Sequence, residues 1–209
     1  MKPVTCDMKL IFATHNQGKL KEMRALLAGL PYEVLSAQQA GVADEVEEDG
    51  QTLEQNALKK AHSVAKQTGQ WAVADDTGLF IEALNGRPGV RSARWAGESR
   101  DEQTMIDFTL RQLIGIPAKQ RGAFFESVIA LVSPAGKELI LRGKVTGKIL
   151  ETPRGTIRPH LPYDCLFLPL GSELTFAEMS DEKKNSMSHR GNAFRQLKEY
   201  LNTHELESA

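Results

Sequence analysis

The stretch WAVADDTGL, residues 71–79, carries an apolar run directly into two adjacent carboxylates, Asp75 and Asp76. The apolar half predicts a strand that runs toward a core, and neighbouring residues on a strand face opposite sides of the sheet. At the end of such a strand one Asp would begin a turn while the other faces a cleft. Asp-Asp-Thr-Gly is also a sequence typical of turns, so the stretch alone favours a turn over an active site. The rest of the chain has to decide between them.

Predicted strands and helices alternate on both sides of this stretch. Helical periodicity predicts helices at 17–30, 51–69, 101–115 and 175–201. Strand character is found at 8–14, from 71 through LFIEAL, and twice within 123–147 around SPAGK. Thr52 with Gln55, and Thr175 with Glu178, fit capping boxes at two of the helix starts. Strand–helix alternation followed by a hairpin predicts an α/β protein with a mixed sheet.

The composition limits the class of protein. Lys and Arg number 26 against 27 Asp and Glu, and aromatic residues make up 6%, so neither a basic groove nor a stacking platform for nucleic acid is expected. No apolar run has transmembrane length, and the N-terminus lacks the apolar core of a signal peptide. Cys6 and Cys165 form neither a metal spacing nor a disulfide framework, which favours a reducing cytoplasm and, for Cys165, an ordinary buried thiol. We expect one domain over 1–209, with flexible termini at 1–7 and 202–209.

The segment ATHNQGKLKE, residues 13–22, lies where a strand gives way to a helix. A turn at that point directs free backbone N–H groups and the positive end of the helix dipole outward, which suits phosphate. The segment is not a P-loop, because Ala13 replaces its first glycine and Leu20 replaces its metal-binding hydroxyl. A plain helix start with Lys19 in solvent is the equal alternative.

The acidic stretch ADEVEEDG, residues 43–50, is typical of a solvated loop. One or two of its carboxylates could instead join Asp75 or Asp76 around Mg²⁺, which commonly takes one or two carboxylates plus phosphates and water. Further along, SDEKKNSMSHRG, residues 180–191, fits either a surface helix or a compact set of donors for a base or phosphate.

Taken in order, these motifs resemble the inosine triphosphate pyrophosphatase (Ham1-like) family. The resemblance runs from about Lys9 to Tyr200 and includes THNQGKLKE, EEDGQTLEQNALKKA, ADDTGL, GRPGVRSARWAG and SHRG. It implies a two-lobed α/β fold with an extended mixed sheet, flanking helices and a central substrate cleft. It also implies a homodimer that uses Mg²⁺ to hydrolyse non-canonical purine nucleoside triphosphates, such as dITP, ITP and XTP, to the monophosphate and pyrophosphate.

The resemblance also implies roles for particular residues. Asp76 would be the catalytic base, supported by Asp75 and Lys19, and Glu48 with Asp76 would bind the metal. The remaining substrate-binding residues would be Thr14, His15, Asn16, Gln17, Gly18, Thr77, Leu161, Pro162, Tyr163, Asp164, Lys184, His189 and Arg190.

One motif departs from the family. Where members have FGYDP, this chain has LPYDC, so Leu161 replaces Phe and Pro162 replaces Gly. Proline fixes φ and removes an N–H donor, so we expect weaker discrimination of the base, unless Arg158 or His160 donates to a 6-oxo group instead. The alternatives to the implied function are a related pyrophosphatase with another base preference and a nucleotide-binding protein without turnover.

Overall fold

The computed structural model describes residues 8–14, 17–43, 46–97 and 101–207, apart from the side chain of Gln17. The chain divides into two compact units. The first unit is drawn from residues 1–76, 127–142 and 193–209, and the second from 77–126 and 143–192. The assignment of 1–209 to one domain stays a prediction.

Within the described residues, the helices are α1 (Gln17–Leu26), α2 (Leu53–Thr68), α3 (Glu102–Gln112), α4 (Asp181–Met187) and α5 (His189–Thr203). The strands are β1 (Met8–Phe12), β2 (Tyr32–Ser36), β3 (Trp71–Ile81), β4 (Pro88–Gly89), β5 (Gly122–Val132), β6 (Glu138–Ile149) and β7 (Phe167–Pro169). No helix of the described part is long and apolar enough to cross a membrane.

The strands form a mixed sheet. Their order is β2-β1-β3-β5-β6-β7, and β4 pairs with β3 at a branch from this path. Strand β1 is parallel to both β2 and β3, with Leu10 opposite Val34 on one side and Trp71 on the other. Strand β4 runs antiparallel to β3, and β7 runs antiparallel to β6. The predicted α/β class with a mixed sheet is confirmed.

Each unit has its own apolar core. In the first, residues from β1, α1 and α5 pack together, and the rings of Phe12 and Phe194 meet edge to face at 5.9 Å. In the second, Phe125, Phe167 and Phe176 form the aromatic centre, with 4.8 Å between the first two rings. Burying one such side chain contributes roughly 1.5–3 kcal/mol, so these clusters fix the strands that carry the site.

Helix α2 begins at the predicted Thr52 cap, although the Gln55 side chain bonds to Gln51 and not back to Thr52, and it ends at a left-handed glycine. The Thr52 hydroxyl accepts a hydrogen bond from the Gln55 N–H at 3.1 Å, while the Gln55 side chain accepts one from the Gln51 N–H at 2.7 Å. At the other end Gly69 adopts φ 62°, and its N–H donates to the Ala65 carbonyl. Such a left-handed residue after a helix is best supplied by glycine.

The predicted helix start at Thr175 is wrong. The chain forms turns there, and α4 begins only at Asp181, capped by the Ser180 hydroxyl. The Glu178 carboxylate does accept the Thr175 N–H at 2.7 Å, but it also pairs with Arg154 at 2.7 Å. The contact between Thr175 and Glu178 therefore closes a turn ahead of α4.

The structure describes residues 202–207 of the tail that is predicted to be flexible. Helix α5 extends to Thr203, and Leu206 is buried in the core of the first unit. The indole N–H of Trp71 donates to the Glu207 carbonyl at 2.8 Å. These two contacts attach the segment to the core of the first unit, and the flexibility of the tail stays a prediction. The other predicted flexible terminus, 1–7, lies outside the described residues.

Candidate active site

Strand β3 does not end at its two carboxylates but continues through them to Ile81. The interpretation of Asp75 and Asp76 as turn residues is therefore wrong. Both are buried, with 2% and 7% of their surface exposed. Successive strand residues face opposite sides of the sheet, so each buried charge needs partners of its own.

Asp75 is paired with Lys19 of α1. The Lys19 Nζ lies 3.0 Å from Asp75 Oδ1, and the lysine side chain remains 26% exposed. Just before α1, the Thr14 N–H donates to the Phe12 carbonyl at 2.7 Å, and the exposed Gly18 lies in the first helical turn. The structure thus brings a lysine and a helix N-terminus together after β1. His15, Asn16 and the Gln17 side chain, also predicted here, lie outside the described residues.

Asp76 is held by Asn56 of α2. The Asn56 Nδ2 donates to Asp76 Oδ2 at 2.9 Å, and its own Oδ1 accepts the Gly50 N–H at 2.8 Å. A Cβ at Gly50 would lie 2.6 Å from that Oδ1, so the close approach requires glycine. The buried amide therefore fixes both the carboxylate and the end of the acidic segment.

Lys60 lies one helical turn beyond Asn56 and joins the acidic segment to β3. Its Nζ is 2.6 Å from Glu48 Oε1, 2.7 Å from the Asp75 carbonyl and 3.9 Å from Asp76 Oδ1. One ammonium group thus lies between Glu48 and Asp76, the two carboxylates predicted to bind metal. We call Lys19, Glu48, Asn56, Lys60, Asp75 and Asp76 the carboxylate cluster.

The cluster shifts the pKa values of its members in different directions. Burial raises the pKa of Asp76 above the ordinary value, an effect that Lys60 opposes and the Glu48 charge reinforces. Burial also acts to raise the pKa of Glu48, but the charge and hydrogen bond of Lys60 outweigh it and lower that pKa. Although burial favours the neutral amine, the charges of Asp76, Glu48 and Asp75 raise the pKa of Lys60. Of the two carboxylates beside Lys60, Asp76 is therefore the better proton acceptor.

Asn56 and Lys60 were missed in the sequence. Their signal was their spacing of four residues, which places both on one face of a predicted helix directly after the acidic segment. Asn56 also interrupts the apolar stripe of α2 and is 1% exposed, as expected of a polar residue with a specific partner.

The donor set suits a hard divalent cation. Within the described residues no group of three or more His, Cys, Asp or Glu side chains gathers as a closed metal site. Glu48 and Asp76 supply carboxylate oxygens, and Mg²⁺ commonly takes one or two of these and completes its shell with phosphate and water. The residues present therefore fit Mg²⁺ bound together with a phosphate ligand.

The second unit contains a separate group of predicted residues. Asp164 and Lys184 are both 4% exposed and form a buried ion pair. The Tyr163 hydroxyl donates to the Ser92 carbonyl at 2.7 Å. Pro162, Tyr163 and Asp164 lie in a 3-10 turn at Pro162–Cys165, which fixes the buried carboxylate toward α4.

The SHRG motif lies where α4 gives way to α5. His189 stacks on Phe125 with ring centroids 4.6 Å apart, and Arg190 is 8% exposed, so neither is a surface group. A Cβ at Gly191 would lie 1.9 Å from the Asn185 carbonyl oxygen, so this junction requires glycine. The surface-helix alternative for these residues is wrong, whereas their role in substrate binding stays a prediction.

The remaining predicted residues of the second unit differ in their exposure to solvent. Thr77 and Leu161 are half-buried, and Pro162 is buried. Burial raises the pKa of Cys165 to about 11, which keeps it a protonated thiol and agrees with the prediction of an ordinary buried cysteine. The predicted site residues that the structure describes thus form two groups, one within each unit.

Known proteins of one family resemble this chain over nearly its whole length. A model described as the Ham1 family matches residues 10–200. A dITP/XTP pyrophosphatase of Geobacter sulfurreducens is 46% identical over 193 residues, covering 92% of this chain and 96% of the relative. The Bacillus subtilis dITP/XTP pyrophosphatase is 42% identical over 191 residues, covering 91% and 96%. Among solved structures, a HAM1 protein from Coxiella burnetii aligns with a TM-score of 0.87 and 38% identity, covering 94% of this chain and 100% of its own.

Proposed function

Because this chain belongs to the Ham1 family, as its motifs predicted, we propose that it hydrolyses non-canonical purine nucleoside triphosphates such as dITP, ITP and XTP. The products are the nucleoside monophosphate and pyrophosphate, and the reaction removes deaminated purines from the nucleotide pool. The names of the Geobacter and Bacillus relatives support this substrate class.

The observation that carries the proposal is the environment of Asp76. A buried carboxylate with a raised pKa lies beside a half-buried lysine and is oriented by a buried amide. A protein that only binds nucleotides has no need of such a base. Perturbed, oriented carboxylates of this kind are typical of catalytic sites.

In the reaction, the Asp76 carboxylate accepts a proton from the attacking water. The water oxygen bonds to the α-phosphorus, the bond from that phosphorus to the bridging oxygen breaks, and pyrophosphate leaves with the electron pair. Lys19 and Lys60 donate hydrogen bonds to the phosphate chain and offset the negative charge that develops there. Charge-assisted donors fixed in a buried site stabilise such a transition state effectively.

We propose Mg²⁺ as the cofactor, held by Glu48 and Asp76. When bound, it supplies positive charge to the phosphate oxygens and the departing pyrophosphate. Asn56 keeps Asp76 oriented, and Lys60 keeps Glu48 ionised, so that both carboxylates are available as ligands.

A panel of triphosphates tests the proposal. With Mg²⁺ present, we expect pyrophosphate release from dITP, ITP and XTP at kcat/KM values well above those for ATP and GTP. Equal rates on all purines would favour a pyrophosphatase with another base preference. Tight binding of ITP without pyrophosphate release would favour a nucleotide-binding protein and contradict the proposal.

We also propose that the protein acts as a homodimer in the cytoplasm. The family resemblance supports the homodimer, and the two cysteines without a disulfide framework support a reducing compartment. Light scattering of the purified protein tests the assembly: a mass of about 46 kDa is expected, twice the 23.1 kDa of one chain, and 23.1 kDa would contradict it.

A further inference from the structure

The second unit contains a strained turn directly before the Pro162–Cys165 turn. The Leu161 N–H donates to the Arg158 carbonyl at 3.1 Å and closes a four-residue turn over Arg158–Leu161. Pro159 occupies its second position and His160 its third, where φ is 62°. This is the arrangement of a type II turn, whose third position normally takes glycine because φ is positive there.

A non-glycine residue persists in this conformation only where its surroundings hold it. Here the His160 N–H donates to Glu102 Oε1 at 2.7 Å, and Glu102 is the first residue of α3. That hydrogen bond is the largest cause of a lowered Glu102 pKa, so the acceptor is an ionised carboxylate. At the other end of the turn, Arg158 Nη1 donates to Asp181 Oδ1 at 2.8 Å, and Nη2 donates to the Met179 carbonyl.

These contacts connect the turn to the predicted substrate residues. Leu161 ends the strained turn, and its carbonyl accepts the Asp164 N–H at 3.2 Å. Asp164 pairs with Lys184, which lies one helical turn beyond Asp181 on α4. Arg158 therefore anchors the turn through two of its guanidinium donors, and its predicted role as a donor to a 6-oxo group stays a prediction.

We propose that Glu102 is a positioning residue for nucleotide binding. It holds the 158–161 turn in its left-handed conformation and so fixes Leu161, Pro162 and Asp164 for the nucleoside end of the substrate. The proposal rests on the proposed function, because it takes these three residues to contact the nucleotide. It requires no contact between Glu102 and the substrate.

Three variants at the two ends of the hydrogen bond test the proposal. Glu102→Ala removes the acceptor, and we expect KM for ITP to rise about five- to ten-fold while kcat stays within about two-fold. Glu102→Gln keeps a side-chain oxygen that can accept the His160 N–H, and we expect KM to rise less than about three-fold. In the double variant Glu102→Ala/His160→Gly, glycine adopts positive φ without the tether, so most of the loss should be recovered.

Gln103→Ala is the matched control, because Gln103 lies beside Glu102 on α3 and its side chain donates along its own helix to Asp107. Amide hydrogen exchange of the 153–163 segment in the ligand-free protein gives a readout independent of turnover. We expect faster exchange in Glu102→Ala and not in the control. If the wild type binds ITP without hydrolysis, the proposed function fails, and the same variants are compared by the Kd for ITP.

The proposal is overturned if Glu102→Ala leaves both KM (or Kd) and exchange unchanged. It is equally overturned if Glu102→Gln loses as much affinity as Glu102→Ala, or if the His160→Gly change recovers none of the loss. A fall in kcat at constant KM would assign Glu102 a different role and would also contradict it.

Discussion

In the first unit Asp76 takes its position from a strand and a helix, whereas in the second unit Leu161 takes its position from a turn. Asp76 lies within β3, and its partners Asn56 and Lys60 are one turn apart on α2. Leu161 follows a left-handed His160 whose N–H donates to the Glu102 carboxylate. A strand and a helix position Asp76 and its partners, which are proposed for catalysis, and a tethered turn positions Leu161, which is proposed for nucleoside binding. We therefore expect variants of the first kind to affect kcat and of the second kind to affect KM and selectivity.

The largest expected effect is that of Asp76→Asn. The change is nearly isosteric but removes the proton acceptor and one metal-binding charge, so we expect kcat to fall about 10³-fold or more with ITP binding retained. Asp49→Asn is the control, because Asp49 is an exposed acid that pairs with Lys59. Near wild-type turnover of Asp76→Asn at saturating Mg²⁺ would show that the role given to Asp76 is wrong.

The next largest expected effect is that of Lys60→Met. It removes the charge between Glu48 and Asp76, and we expect kcat/KM to fall about 10²-fold. Lys60 opposes the rise in the Asp76 pKa, so without it that pKa rises further and the acid limb of the kcat profile moves to higher pH. Lys59→Met, at an exposed neighbouring lysine, should change neither quantity. If the acid limb of Lys60→Met stays at the wild-type pH, Lys60 does not influence the pKa of Asp76.

More of the site in the first unit than of the turn in the second unit could be predicted from the sequence. The order of strands and helices, the burial of the β3 approach and the capping of α2 all follow from apolar spacing and caps. Lys60 and Asn56 lay within a predicted helix, and their spacing of four residues placed them on one face, but only the structure shows which carboxylates that face meets. The left-handed His160 and its Glu102 tether could not be predicted, because 58 residues separate the two partners and a proline before histidine does not specify the turn. Contacts so distant in sequence depend on the completed fold.

Lys19→Ala tests the phosphate end of the first group. A charged hydrogen bond is worth roughly 1.5–3 kcal/mol, so we expect triphosphate binding to weaken about ten-fold or more and inosine monophosphate binding much less. Lys21→Ala on the exposed face of α1 is the control, and thermal unfolding monitors the cost of leaving the buried Asp75 without its lysine. Equal losses for both ligands would place Lys19 away from the β- and γ-phosphates.

The smallest expected effect is on selectivity. Replacing Leu161-Pro162 by Phe-Gly restores the residues typical of the family, and we expect preference for ITP over ATP to increase by up to about ten-fold, with little change in kcat. Values of kcat/KM for inosine, xanthosine, adenosine and guanosine triphosphates measure it. If the wild type already shows strong 6-oxopurine preference and the swap leaves it unchanged, this segment does not discriminate the base.

The central claim, attack of an Asp76-activated water on the α-phosphorus, is tested most directly by hydrolysis of ITP in ¹⁸O-enriched water. Mass spectrometry of the products locates the bond that breaks. We predict one ¹⁸O atom in inosine monophosphate and none in pyrophosphate. Label in pyrophosphate, or release of orthophosphate from the triphosphate, would contradict the account.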